Sequence, residues 1–426
     1  MNARRLVGCA AVLALALGSG GRLRALTLEP ASIAEITTGA GHQVYGWSGE
    51  FAVSGNLAAW IDGRDPNANR VYGVRLDEPN YREFLIDMEA SAAAQLAFSE
   101  RLLAYKGPMP EAEQPEILRL ANLANLAEIS RTDFVSRCLY IYDLDLSGTR
   151  LAYAGQEPNS YQMAIYLADV SNPNQVEQYR IDLLGGNDGF YDLAIDGKLL
   201  SWSLEYYYEP NEVYRRALRV ADVSDPHHPD IVTYDLPQEV SLYSLDASGA
   251  WLAAQGQEDY RNGIYGVFDY RDREPQHWRL ATIWTEKEQE YYRSGPRVDG
   301  PYTVWVAGTR APSAAGRDGP ADNQDEGLLK GAYLMPDAGF ATSTLHRSTS
   351  EMGAADVSGQ RVVWSEYLAD ATELYQGTIS LECGDWGYFR GDLDRNCQVN
   401  LMDLAIFAAD WLRCSVPFGG GCEYAP

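Results

Sequence analysis

Histidine is scarce in this chain, and what there is does not look catalytic. The five histidines are His42, His227, His228, His277 and His346. None stands at ligand spacing from a cysteine or a carboxylate, which argues against a histidine-based metal centre. Trp47-Ser48-Gly49 begins like a nucleophile elbow, but Glu50 stands where that turn needs a glycine. The sequence therefore offers no catalytic signature.

Basic residues are also few. The chain has 34 Lys and Arg against 60 Asp and Glu, a formal charge of −26. Such a balance is typical of a well-solvated exported surface and disfavours nucleic acid or an anionic membrane as a partner. We expect neither partner.

Long apolar runs are missing except at the N-terminus. Arg4 and Arg5 precede an apolar run from Leu6 to Leu17 and then small residues, which predicts a Sec-type signal peptide within residues 1–26. The run is too short for a stop-transfer helix. A lipoprotein signal has its apolar core before the cysteine, whereas here the core follows Cys9, so we do not expect lipidation. The predicted location is secreted, extracellular or cell-surface, with no membrane span.

Cysteine is rare outside the last 44 residues. That segment holds Cys383, Cys397, Cys414 and Cys422. In an exported protein, this clustering predicts two disulfides in a small domain, residues 383–426, which could not bury enough core alone. The three possible pairings stay open. Cys138, in a predicted strand, should be a buried free thiol.

A short hairpin pattern recurs along the rest of the chain. It consists of an apolar strand, a Ser-Gly or Asp-Gly turn and a second strand that ends on Trp or Tyr. Five full copies and two degenerate ones occur: VSGNLAAW (53–60), FSERLLAY (98–105, no glycine), LSGTRLAY (146–153), IDGKLLSW (195–202), ASGAWLAA (247–254, no terminal aromatic), VDGPYTVW (298–305) and VSGQRVVW (357–364). A period of roughly 50 residues made of short strands predicts a propeller rather than a helical solenoid.

We therefore expect an all-β fold, a seven-bladed β-propeller over residues 27–382. The seventh repeat has no fourth strand before Cys383. Ile33 to Thr38 reads as a strand without a hairpin partner, and it would supply that fourth strand and close the ring. The alternative is that this stretch is a disordered leader.

Two matching turns, LADVSNP (167–173) and VADVSDP (220–226), place Asp and Ser caps before a proline. These phrases resemble repeats of bacterial cell-surface propellers, and the hairpins resemble the Tol-type propeller family. The resemblance covers residues from about 30 to 382. It implies an architecture and says almost nothing about activity.

The connections between second and third strands vary most and should lie on one face of the ring. Carboxylates beside tyrosines in these connections make a possible ligand face, which could stack on a sugar or receive a cation: Glu205, Tyr206, Tyr207, Tyr208, Asp259 and Tyr260. The alternative is that they are solvated loop tips.

The segment GDLDRNCQVNLMDLAIFAADWL (391–412) has the oxygen-ligand spacing of a calcium loop. A curled loop points alternate side chains inward and takes a last carboxylate from the following helix. The predicted calcium ligands are Asp392, Asp394, Asn396, Gln398, Asn400 and Asp403. The alternative is a calcium-free polar turn held by disulfides.

This segment resembles one half of a type I dockerin, which implies calcium as cofactor and a cohesin-like partner for the tail. It departs from that family in having Cys397 at the usual glycine position, only one repeat, and Leu401-Met402 where cohesin-reading dockerins often place hydroxyls. A bond from Cys397 to Cys414 would hold the bend covalently. The departures weaken the expectation of cohesin binding more than that of calcium binding.

Two functions fit these features. The first is an exported, non-catalytic binding protein whose propeller face binds a protein or glycan and whose calcium-binding tail mediates attachment or assembly. The second is a polysaccharide-active enzyme, a hydrolase or a lyase, because dockerin-like tails often accompany carbohydrate-active domains. The scarcity of histidine and the missing catalytic signature favour the first.

Overall fold

The fold is all-β in the residues that this computed structural model describes. They are 26–37, 51–65, 68–91, 95–108, 114–158, 160, 162–186, 188–208, 213–237, 240–249, 251–258, 261–268, 279–285, 290–292, 294–309, 326–333, 341–368 and 371–381. The chain divides into two compact units, Leu28–Ile379 and a second one formed by Met1–Thr27 with Ser380–Pro426. Within the described ranges the one helix is a 3₁₀ turn, Pro30–Ser32.

The N-terminal segment contributes two short strands, β1 (Leu26–Leu28) and β2 (Ala34–Glu35). The next twelve strands form three four-stranded antiparallel sheets in chain order. Sheet 1 contains β3 (Phe51–Ser54), β4 (Leu57–Asp65), β5 (Ala68–Arg75) and β6 (Phe84–Ala90). Sheet 2 contains β7 (Leu96–Ser99), β8 (Leu102–Lys106), β9 (Ile117–Asn122) and β10 (Ser130–Val135). Sheet 3 contains β11 (Tyr140–Ser147), β12 (Arg150–Gln156), β13 (Met163–Asp169) and β14 (Glu177–Leu183).

Sheets 4 and 5 repeat this order. Sheet 4 contains β15 (Gly189–Asp196), β16 (Leu199–Tyr208), β17 (Val213–Asp222) and β18 (Asp230–Asp235). Sheet 5 contains β19 (Val240–Ser248), β20 (Trp251–Glu258), β21 (Arg261–Phe268) and β22 (Arg279–Thr285). Sheet 6 contains β23 (Glu290–Tyr292), β24 (Arg297–Asp299), β25 (Tyr302–Thr309), β26 (Glu326–Tyr333) and β27 (Ala341–Ser348). It differs in that two short strands, β23 and β24, both pair with β25.

Sheet 7 combines both ends of the chain. It contains β28 (Glu351–Ser358), β29 (Arg361–Tyr367) and β30 (Thr372–Leu381), and both β1 and β2 pair with β30. The N-terminal segment thus supplies the outer edge, as the sequence predicts, but through two short strands on either side of the 3₁₀ turn rather than one strand from Ile33 to Thr38. Thr37 adds a side-chain bond, because its Oγ1 accepts the Leu374 amide at 2.9 Å.

The innermost strands of the seven sheets contact one another in a closed series. The neighbours run β3, β7, β11, β15, β19, β24, β28 and back to β3. Each of these strands starts a hairpin whose turn lies at the same end of the series. The inner strands therefore surround a common space, and the hairpin repeat of the sequence is the unit that lines it.

All seven inner turns contain a residue in the left-handed region of backbone space. Six are the glycines of the repeat, with φ between 56° and 64°. The seventh is Glu100, with φ of 55°, in the copy that has no glycine. A left-handed conformation costs a residue with a side chain roughly 1–2 kcal/mol. Sheet 2 therefore keeps the left-handed turn even though glutamate disfavours that backbone conformation.

The terminal aromatics of the repeat form the core. Trp60, Tyr105, Tyr153, Trp202, Trp305 and Trp364 are all 0% exposed, and Ala254 takes the same position in sheet 5, also at 0%. Because the second strand is covered by neighbouring sheets on both faces, it reads as a continuous apolar run. Cys138 is a buried free thiol, as predicted, and burial raises its pKa above the ordinary value of 9.0.

The predicted turn caps are present. The Asp169 carboxylate accepts the Ser171 amide at 2.9 Å, and Asp222 accepts the Ser224 amide at 2.9 Å. Sheet 2 has a version that the sequence reading missed, in which Asn122 accepts the Ala124 amide at 2.9 Å. Asparagine replaces aspartate there, because either side-chain oxygen makes the same turn.

Candidate functional site

A cavity of about 520 Å³ lies between the inner strands. Its lining is strongly acidic, with seven carboxylates and one guanidinium: Asp143, Asp145, Asp192, Asp196, Asp246, Asp299, Asp356 and Arg297. The volume falls within the range of small-ligand sites, roughly 300–1,000 Å³. This cavity is the candidate site.

The first set of lining groups joins neighbouring sheets at the turns, from sheet 2 round to sheet 1. The residue before the turn is serine or aspartate, and its oxygen accepts the turn amide of the following sheet. The six acceptor–donor pairs are Ser99–Gly148 (2.8 Å), Ser147–Gly197 (2.9 Å), Asp196–Gly249 (2.9 Å), Ser248–Gly300 (2.9 Å), Asp299–Gly359 (2.6 Å) and Ser358–Gly55 (3.0 Å). These contacts fix the spacing of the hairpins around the cavity.

A second set lies two residues further from the turn. Asp145 Oδ2 accepts the Ile195 amide at 2.7 Å, Asp246 Oδ2 accepts Val298 at 2.6 Å and Asp356 Oδ2 accepts Val53 at 2.7 Å. In each carboxylate, Oδ1 accepts the amide of the next residue in its own chain. Both oxygens are thus occupied by backbone donors, which makes these aspartates bridges between sheets.

Asp143 and Asp192 make up the third set, and their carboxyl groups lie close together. Asp143 Oδ2 lies 2.8 Å and Asp192 Oδ1 3.0 Å from the same Leu193 amide, so the two carboxyl groups converge. Burial, together with the charge of Asp192, raises the pKa of Asp143 well above its ordinary value of 3.8. Two like charges at this distance cannot both ionise cheaply, so Asp143 holds a proton to a higher pH than an ordinary carboxyl.

Arg297 is the single cation in this lining and occupies the position that aspartate takes in sheets 3, 5 and 7. Burial lowers its pKa, but four carboxylates around the cavity raise it more, leaving it above the ordinary value of 12.5. Burial raises the pKa values of Asp145, Asp246 and Asp356 above 3.8, and Arg297 opposes that rise in each. Arg297 therefore balances the repulsion of the lining.

Three tyrosines lie on neighbouring inner strands, toward the end opposite the turns. Tyr142, Tyr191 and Tyr243 occupy equivalent places, six residues before the turn glycines of sheets 3, 4 and 5. Each lies at a register shift of its inner strand, between Ile141 and Asp143, Phe190 and Asp192, and Leu242 and Ser244. Such bulges re-aim a side chain, and Tyr191 and Tyr243 line the cavity.

The tyrosine arc, our name for Tyr142, Tyr191 and Tyr243, is accessible. Tyr142 is 53% and Tyr243 38% exposed. The rings of Tyr191 and Tyr243 meet edge to face at 5.3 Å between centroids, and the Tyr191 hydroxyl lies 3.4 Å from Glu205 Oε2. The arc thus presents accessible aromatic surface, and its members Tyr191 and Tyr243 line the acidic cavity.

The predicted ligand-face residues are placed differently from the prediction. Glu205, Tyr206, Tyr207 and Tyr208 are not in a loop, because β16 continues to Tyr208 and pairs with β17 from Val213 onward. Glu205 bonds Arg216 Nε at 3.3 Å, and the Tyr206 hydroxyl donates to Asp235 at 2.7 Å. These contacts lie within sheet 4. Asp259 and Tyr260 lie outside the described residues.

The predicted calcium ligands Asp392, Asp394, Asn396, Gln398, Asn400 and Asp403 also lie outside the described residues, as do the four C-terminal cysteines. Across the part of the chain that is described, no group of three or more His, Cys, Asp or Glu side chains is arranged to hold a metal ion. A search of the same residues finds no helix long and apolar enough to cross a membrane.

Sequence reasoning missed the cavity lining. The sequence did contain one signal of this lining. The residue before each turn glycine is serine or aspartate, so a side-chain oxygen that can accept a hydrogen bond recurs at the turns. The aspartates three residues before Gly148, Gly249 and Gly359 also share a register. The tyrosines also share a sequence position, six residues before their turn glycines, but the bulges that re-aim their side chains could not be read from the sequence.

Comparison with known proteins shows the fold but no family. No protein-family model matches the chain, and no curated protein matches it. Among solved structures, it is similar to the β-propeller domain of the Trilobed protease from Pyrococcus furiosus (TM-score 0.51, 10% identity), covering 82% of this chain and 98% of that one. It is also similar to the PL25 polysaccharide lyase ulvan lyase (TM-score 0.51, 7% identity), covering 82% of this chain and 95% of that one.

A third similar structure is the acylaminoacyl peptidase of Pyrococcus horikoshii (TM-score 0.51, 12% identity), covering 82% of this chain. The chain spans only 53% of that peptidase. The chain therefore has a β-propeller fold. The resemblances to Tol-type propellers and to dockerins gain no support from these comparisons and stay predictions.

Proposed function

We propose that the chain is an exported, non-catalytic binding protein, a propeller of seven blades whose face opposite the inner turns binds a protein or a glycan. The observation that carries this proposal is the tyrosine arc, two of whose members, Tyr191 and Tyr243, line the cavity. It combines accessible aromatic surface with a concave, polar interior, the usual combination at ligand sites. The closed series of inner-strand contacts supports the assignment of each sheet as one blade.

The tail, residues 383–426, completes the proposal. Its alternating oxygen ligands from Asp392 to Asp403 would bind calcium, and the loaded tail would attach the propeller to a partner with a cohesin-like surface. Calcium should protect this segment from limited proteolysis of the full chain, and a chelator should remove the protection. Equal cleavage with and without calcium would contradict the tail assignment.

A polysaccharide hydrolase or lyase is the second candidate, and one observation favours it. Asp143 and Asp192 are paired carboxyls below the arc, and a raised carboxyl pKa is what a general acid needs. Against this, all four oxygens accept backbone amides: Leu144 and Leu193 for Asp143, and Leu193 and Leu245 for Asp192. Such bonds hold the carboxyls in a structural role.

Incubation of the mature protein with a panel of polysaccharides separates the two. We expect retention on a ligand without new reducing ends and without unsaturated products. Formation of either product, lost in the Asp143→Asn variant, would overturn the non-catalytic assignment.

A further inference from the structure

We propose that the tyrosine arc is a sugar-stacking surface, and that its ligand is a glycan chain without acid groups. This inference rests on the proposed binding function and narrows its ligand. The arc is built on three consecutive sheets at one register position, so it forms a curved row rather than a single contact. A row of aromatic side chains suits an extended chain of rings.

The arc is held in place before any ligand binds. At the Tyr142 bulge, the backbone groups of Ile141 are taken by side chains of sheet 2: its amide donates to Glu116 Oε2 at 2.7 Å, and its carbonyl accepts Lys106 Nζ. Lys106 and Glu116 are both 8% exposed and pair at 3.5 Å. On the other side of the bulge, Asp143 bonds sheet 4. A surface ordered in advance loses less entropy on binding.

Stacking, rather than ion pairing, is the recognition that this site supports. The bridging carboxylates Asp145, Asp246 and Asp356 already accept two backbone amides each, so they offer little directed bonding to a lysine or arginine of a protein partner. Tyrosine rings, in contrast, supply rigid apolar area with a polar edge at a low entropic cost. This is the chemistry that meets the face of a sugar ring.

The charge of the cavity sets which sugars fit. Its lining carries seven aspartates against Arg297, and the whole chain carries −26. A negative field in a concave site repels anions and attracts neutral or cationic groups. Uronic-acid and sulfated chains are therefore disfavoured, while neutral or amino-bearing chains are accepted.

The test measures binding of the full chain to soluble oligosaccharides of chitin, chitosan, cellulose and polygalacturonate by titration calorimetry. The variants are Tyr142→Ala and Tyr243→Ala, with Tyr142→Phe to keep the ring. Tyr214→Ala is the matched control, because Tyr214 is also 53% exposed but lies on β17, away from the inner strands that carry the arc. Thermal unfolding of each variant verifies folding.

We expect an acid-free oligosaccharide to bind, with about a tenfold loss for each Ala variant and less than a twofold change for Tyr142→Phe and Tyr214→Ala. If the Ala variants bind the oligosaccharide as tightly as the parent protein, the tyrosine arc is not the binding surface, although the propeller still binds a glycan. Preference for polygalacturonate would overturn the charge argument. Binding to none of these sugars, or capture of a lysine-rich peptide lost in the same variants, would overturn the glycan assignment and leave a protein-binding propeller in place.

Discussion

At the residue scale, two positions depart from their equivalents. Glu100 stands where the other six inner turns have glycine, and Arg297 stands where sheets 3, 5 and 7 have aspartate and sheets 1, 2 and 4 have alanine. Substitution at these two positions measures what each residue contributes.

Glu100→Gly should stabilise the protein by about 1 kcal/mol, because glycine adopts the left-handed turn without strain. The converse change, Gly148→Ala, should destabilise it by about 1 kcal/mol. A β-carbon at Gly148 meets nothing within 4 Å, so the cost there is that of the backbone conformation alone. Urea unfolding of both variants measures the effects, and a destabilised Glu100→Gly protein would contradict the strain argument.

Arg297→Met should destabilise the protein by about 2 kcal/mol at neutral pH, because the carboxylates around it lose their counter-charge. The loss should shrink as the pH falls toward 3.8, since the aspartates whose pKa Arg297 lowers then take up protons. Arg347→Met is the control, because Arg347 pairs with Glu326 at an exposed position. A loss independent of pH would indicate a packing role instead.

At the element scale, the joints between sheets depend on side chains that cap backbone amides. The carboxylates with raised pKa values stabilise the fold in their protonated state, so their contribution is present at low pH and is lost as the pH rises through the folded-state pKa. Asp77, whose pKa its bonds to Arg75 and Asn56 lower to about 2, behaves in the opposite sense.

Asp143→Asn should therefore gain stability relative to the parent protein as the pH rises from about 4 to 8. The variant loses one backbone bond at every pH, about 1 kcal/mol, but it is spared the repulsion with Asp192 once the carboxyls ionise. In Asp77→Asn the relative stability should instead fall as the pH rises from about 2 to about 4, between the folded-state pKa of Asp77 and its ordinary value of 3.8. Denaturant midpoints measured from about pH 2 to 8 test both, and parallel curves for the parent and Asp143→Asn would refute the coupling.

The hairpins and their order could be predicted from the sequence, because a turn glycine, alternating apolar residues and a terminal aromatic are local signals. Strand ends could not, as the extension of β16 to Tyr208 shows, since cross-strand pairing with β17 overrides a polar, tyrosine-rich composition. The site was missed for a related reason. The lining of the cavity arises from contacts between residues about 50 positions apart, and the tyrosine arc depends on bulges that leave no sequence mark.

At the scale of the whole molecule, the N-terminal segment joins the last sheet. Glu29 donates its amide to Thr378 O at 2.9 Å and Ile36 to Leu374 O at 2.7 Å. Closing a sheet edge in this way removes a row of unpaired groups that could pair with another chain.

Thr37→Val should destabilise the whole propeller by about 1–2 kcal/mol, because it leaves the buried Leu374 amide without its acceptor while keeping the side-chain shape. Thr149→Val, at an exposed turn position, should have little effect. The two are compared by thermal unfolding and by amide exchange. Faster amide exchange confined to sheet 7, with an unchanged thermal midpoint, would contradict this expectation. It would show that the N-terminal segment separates from β30 without unfolding the other sheets.

The bonds between side chains and backbone amides of neighbouring sheets around the cavity all have the acceptor on one sheet and the amide on the next. The bonds from sheet 7 to sheet 1, Asp356 to Val53 and Ser358 to Gly55, use the same atoms as those between sheets that are contiguous in the chain. At the inner rim, the closure from sheet 7 to sheet 1 therefore has the same chemistry as the joints between sheets that follow one another in the chain. Circularly permuted variants, in which the present termini are linked and the chain starts at another sheet, should therefore assemble the same inner rim.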